Sequence, residues 1–145
     1  MEKKYRLLEN DTATVDGRTL YRIEALRDFE DVEKGDKGGY VECEDNLSHI
    51  GNCWVFGTAR VSDNARVSDN ACVFGKAWVS DNARVRDDAR VFGKAWVSGT
   101  ARVSDNAWVC DDARVYGNAK VSGDAWVCGN AKVSRGNIRI GIIDN

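Results

Sequence analysis

Val91-Phe92-Gly93-Lys94-Ala95-Trp96-Val97-Ser98-Gly99-Thr100-Ala101-Arg102-Val103-Ser104-Asp105-Asn106-Ala107-Trp108 is one full period of this chain. Valine returns every six residues, and alanine follows each of these valines by four. Working outward, the valine step runs unbroken through fourteen positions, from Val55 to Val133. A period of six fits neither a helix nor a simple alternating strand. A fixed hexapeptide repeat is the sequence form of a parallel β-helix. Val-Phe-Gly also recurs at Val55, Val73 and Val91, a spacing of eighteen, so three hexads make one coil of a triangular prism.

Valine suits the inward position because its branched side chain packs well on a pleated surface. Alanine fits the corner, where little volume remains. The corners, such as Asp63-Asn64 and Gly117-Asn118, carry residues that tolerate positive φ or bond to nearby backbone. The chain contains no proline, as expected where every coil donates N–H groups to the next. About five coils are expected over residues 43–136. Counting back in sixes from Val55 puts His49 and Cys43 inward, with Leu47 and Cys53 at alanine positions.

The hexads from Val55 to Val133 resemble the hexapeptide-repeat superfamily, which includes acyltransferases and γ-class carbonic anhydrases. That resemblance implies an all-β fold, a left-handed parallel β-helix. The head, Lys37-Gly38-Gly39-Tyr40-Val41-Glu42 leading to Asn46-Leu47-Ser48, is similar to short bacterial and phage members of undefined role. For a phage member, a host factor is a conceivable partner.

The ends do not repeat. Thr12–Val15, the turn pair Asp16-Gly17 and Arg18–Ile23 predict a hairpin within an N-terminal cap, residues 1–42. Leu20, Ile23, Leu26 and Phe29 form its apolar side. Lys34–Gly39 lacks the Gly-Lys-Ser/Thr of a P-loop and reads as a structural turn. Ile138, Ile140 and Ile142 alternate with other residues, predicting a closing strand in residues 137–145.

A net charge of -2 argues against nucleic acid as a partner. No apolar stretch is long enough for a membrane span, and the first residues lack a signal-peptide pattern. A cytoplasmic location follows as the expectation. The chain has five cysteines, an odd number without a C-x-x-C pair, and they read as free thiols, although Cys110 and Cys128 fall in one ladder, where a disulfide is geometrically conceivable.

Sorting by eighteen separates three faces. Face one is apolar outside as well as inside, and carries Trp54, Phe56, Phe74, Phe92, Trp108 and Trp126, with Arg90 as its one charge. Trp78 and Trp96 begin face two. Left open, this stripe exceeds the few hundred Å² usual for an apolar patch on a monomer. The nine residues Trp54, Phe56, Phe74, Trp78, Arg90, Phe92, Trp96, Trp108 and Trp126 are therefore the candidate interface. A second copy is the expected partner, as a dimer or trimer. Face three carries Arg66, Arg84, Arg102 and Lys120, which aspartates at the next corner are expected to neutralise.

His49 is the one histidine in the chain, so a three-histidine zinc site is excluded. Cys43 and Cys53 with His49 form the one cluster worth testing for metal. No metal or other cofactor is expected. The coils after Val55 hold neither histidine nor inserted loop, which the superfamily's acyltransferases usually carry. A non-catalytic structural or interaction protein is the expected function. The alternative is a degenerate acyltransferase-like enzyme dependent on His49.

Overall fold

The computed structural model describes residues 3–144. It is all-β: two-residue strands at each hexad stack in parallel and in register into a solenoid of three sheets. Val91 pairs with Val73 below and Val109 above, and the same eighteen-residue register links every other rung from Val55 to Val133. The stacked valines and alanines form the core, and nearly all are inaccessible to solvent. Each coil donates backbone N–H groups to the carbonyls of the next, as in Arg84 N–H to Ala101 O at 3.0 Å.

The corners show why Gly and Asp alternate there. Asp63, Asp69, Asp81, Asp87, Asp105 and Asp111 all sit at φ between 57° and 59°. Each of these carboxylates accepts an N–H from the residue one coil on, for example Asp105 Oδ2 from Gly123 at 2.9 Å. Such local bonding offsets the cost that positive φ imposes on a residue with a Cβ. At Gly93 (φ 71°) a Cβ would stand 2.8 Å from the backbone nitrogen of Asp111.

The N-terminal segment contains β1 (Tyr5–Val15), β2 (Arg18–Ala25) and β3 (Lys37–Val41). β1 and β2 form the expected hairpin, with Asp16 and Gly17 at positive φ in the turn. The glycines before Tyr40 lie in β3, where Gly38 and Gly39 press on the first coil. A Cβ at Gly39 would come within 2.5 Å of Ala59 O. β3 pairs antiparallel with β2 and parallel with Arg60–Val61, so the hairpin extends the face-two sheet.

The stack has about six coils, not five. Val41 pairs with Val61, and Leu47 bridges Val67, which adds a coil at the start. At the other end Asn137–Ile138 and Ile142–Ile143 are two separate rungs, on faces three and one, not a single closing strand. The inward register before Val55 is thus Val41 and Leu47, in place of Cys43 and His49. Leu47 and Val55 are eight residues apart because the first coil carries two additional residues around Ile50-Gly51. Cys53 is at an alanine position as expected, and Cys43 is exposed.

Candidate functional site

The rungs bring the face-one aromatics into one run. Phe74 and Phe92 stack at 4.8 Å, Phe92 meets Trp108 edge-on at 5.5 Å, and Trp108 stacks on Trp126 at 4.7 Å. Phe56 joins Phe74 edge-on at 6.4 Å. Aromatic pairs of this kind add about 0.5–1.5 kcal/mol each beyond burial. Stacking leaves the rings half-buried, and Trp126 is 39% exposed. Ile142 continues the stripe beyond Trp126 and is 65% exposed. The Arg90 guanidinium lies 5.9 Å from the Trp108 ring centre, a cation–π distance.

Trp54 departs from the expected open stripe. It is buried within the chain, with Tyr5 and Phe29 edge-on at 6.1 and 5.2 Å. The N-terminal segment therefore covers the first rung of face one and leaves the later aromatics uncovered.

On face two, Trp78 and Trp96 stack at 4.8 Å. Each indole N–H donates across coils at 2.8 Å, Trp78 to Ser62 Oγ and Trp96 to Ser80 Oγ. Both serines are buried beneath these rings. Arg114 covers the outer face of Trp96, with its guanidinium 5.6 Å from the ring centre. Trp78 and Trp96 are thus packed into their own sheet, apart from the face-one run.

His49 lies beside the first coil and stacks on Tyr5 at 4.2 Å. It borders a trough of about 480 Å³ whose lining includes Glu44, Leu47, Arg66, Arg84 and Arg102. Its Nδ1 accepts the Lys4 backbone N–H at 3.1 Å, and its Nε2 is 3.1 Å from Glu44 Oε1.

A family model described as YdcK beta solenoid repeat matches residues 59–75, 65–81 and 113–129. The hexads of this chain build a parallel β-solenoid, the fold that this repeat model describes. It is also similar to a protein of Escherichia coli (strain K12) named uncharacterized acetyltransferase YdcK, at 37% identity over 43% of this chain and 23% of that protein. The chain thus spans about a quarter of that relative's length.

In this hexapeptide-repeat protein the imidazole of His49 is committed at both nitrogens. Nδ1 accepts a backbone N–H, which leaves Nε2 to carry the proton toward Glu44. A general base needs a free lone pair within reach of substrate. Lys3 at Glu44, with His49 also bonded to it, holds the Glu44 carboxyl below its usual range.

The neighbouring buried pair is structural in its geometry. Lys4 Nζ donates to Cys53 O at 2.6 Å and Gly51 O at 3.2 Å, and lies 3.4 Å from Cys53 Sγ. Burial pushes the Lys4 amine below its usual value and the Cys53 thiol above. Among the described residues, Cys43, Cys53 and His49 do not converge on one metal position.

Cys110 and Cys128 correct the expectation of five free thiols. They stand one above the other on face one, Cα–Cα 4.6 Å, and form a disulfide. The eighteen-residue spacing places them on adjacent rungs within bridging distance. Asp111 is close by, but the bonded sulfurs offer no thiolate for a metal. Cys43, Cys53 and Cys72 are free. Among the described residues, no helix is long and apolar enough to cross a membrane.

Proposed function

We propose that this chain acts without catalysis, as a rigid interaction module whose face-one aromatic run binds a second copy of itself. One observation carries this reading: the run from Phe74 through Phe92 and Trp108 to Trp126 and Ile142 is continuous, and the N-terminal segment covers only its Trp54 end. Apolar stripes of this kind mark interaction surfaces. The rings are held by stacking on a sheet, so little conformational freedom is lost when a partner docks. A dimer packing face one on face one and a trimer both bury it. Should a foreign protein, such as a host factor, be the true occupant, the parent chain would be monomeric alone.

The test is Phe74→Glu with Phe92→Glu. Both side chains point outward, so the doubly substituted chain should keep the parent's β-sheet circular dichroism and sediment as a monomer. An unchanged assembly mass would remove face one as the interface.

Acyl transfer at His49 is the second reading. Its support is the trough beside His49 and the activity in the name of the relative. It requires substrate to displace either the Lys4 N–H or Glu44 from the imidazole. Turnover with acyl donors that disappears in folded His49→Ala would establish that reading over the first.

A further inference from the structure

Face three holds a file of cations with almost no acidic partners. Arg66, Arg84, Arg102 and Lys120 are direct cross-rung neighbours, about 4.8 Å apart. Like charges set opposite one another across strands destabilise a sheet. Of the corner aspartates that could relieve this, three are turned along the stack. Asp69, Asp87 and Asp105 direct a carboxylate oxygen to backbone N–H groups one coil on. Among the described residues, the only ion pair on this face is Arg86 with Asp87, at 3.9 Å. Arg66, Arg84, Arg102 and Lys120 have none.

The same residues line two adjoining hollows. One is the trough of about 480 Å³, closed at its N-terminal end by Glu44, Asp45 and His49 and containing Asp69. The other, of about 180 Å³, adds Lys120, Asn137 and Arg139, and shares Arg86 and Arg102 with the first. Glu44 is already bonded to Lys3 and His49, so the acidic end is partly neutralised. The result is a basic channel along the solenoid axis on a chain whose net charge is -2.

We propose that face three binds a linear polyphosphate chain. Guanidinium groups match phosphate oxygens in a fork geometry and are weakly hydrated. A ligand with a charge on every backbone unit can satisfy each rung in turn, which an isolated anion cannot. The hollows suit a chain better than a flat bilayer. Among the described residues no Phe, Tyr or Trp lines either hollow, and the His49 ring is already stacked on Tyr5, so unpaired bases would find no free stacking platform. The inference is independent of the face-one interface, because it concerns a different sheet.

The experiment is titration of the full chain with fluorescent long-chain inorganic polyphosphate at about 50 mM salt, repeated at about 200 mM. Saturable binding that weakens with salt is expected, together with a rise in melting temperature on binding. Arg84→Glu with Arg102→Glu should weaken binding at least tenfold and abolish the melting shift. Arg114→Glu with Lys132→Glu, on face two, should leave affinity within about twofold. Circular dichroism checks that both variants fold, and Arg84→Lys with Arg102→Lys should retain part of the affinity if the face-three pair proves unstable. Absence of saturable binding, or equal loss in the face-two variant, would overturn the proposal. So would tighter binding of single-stranded oligothymidylate or of phosphatidylglycerol vesicles, which would assign the channel to nucleic acid or to a membrane surface.

Discussion

Val91→Asp should destabilise the protein by at least about 4 kcal/mol, because it buries an unpaired carboxyl and removes packed methyl groups. Val91 has no solvent exposure and lies between Val73 and Val109 in the middle of the face-one ladder. Among the described residues, the inward positions above and below Val91 are valines and offer the new group no polar partner. The effect should depend on pH in a defined direction. Burial raises the folded-state pKa of the introduced carboxyl above its unfolded value of about 3.9. The ionisation part of the penalty is then full above the folded-state pKa, shrinks as the pH falls from there, and is gone below about 4, leaving the cost of burying the neutral carboxyl. Urea denaturation of parent and variant between pH 3.5 and 7 reads both quantities. A variant as stable as the parent at pH 7 would contradict the inward valine register.

Trp54→Ala should cost about 3–5 kcal/mol, the range for removing a large buried aromatic. The site of the damage is more informative than its size. Trp54 is where Tyr5 and Phe29 meet the first coil, so its loss should loosen the N-terminal segment first. Each coil rests on its immediate neighbours, so later coils should hold their structure. Hydrogen exchange should show Tyr5–Ala25 amides losing protection while rungs from Arg90 onward retain theirs. Uniform loss along the chain would mean that the segment and the stack unfold as one unit.

The fold from Val55 onward was legible because nothing interrupts the hexad. A single β-branched residue type at a fixed step leaves one inward register, and the pairing of Val91 with Val73 and Val109 follows it. Before Val55 the same counting failed. The two additional residues near Ile50-Gly51 shift the register, so counting in sixes lands on Cys43 and His49 and passes over Val41 and Leu47. Hydrophobicity held the missed signal: Val41 and Leu47 are six apart and more apolar than the pair chosen.

The aromatic run was readable from spacing alone, since residues eighteen apart must stack, and the Arg90–Trp108 approach follows for the same reason. The burial of Trp54 was not readable. It depends on where Tyr5 and Phe29 arrive from outside the repeat, and no period governs them. Sequence gives proximity but not direction, so it pairs the corner aspartates with the face-three arginines. At positive φ the carboxylate turns along the stack to the next N–H, and the arginines are left to water. The buried serines show the same limit. Ser62 and Ser80 follow inward valines and so point outward, yet an indole folds back over each of them.

The central claim is that face one is covered by a second copy of the chain, and mass in solution tests it most directly. Multi-angle light scattering of the parent protein across a hundredfold range of concentration should give two or three times the 16.0 kDa chain mass. Tryptophan emission should shift to the red on dilution to monomer as Trp108 and Trp126 meet water. A mass of one chain at every concentration, with emission already that of solvent-exposed tryptophan, would contradict the claim.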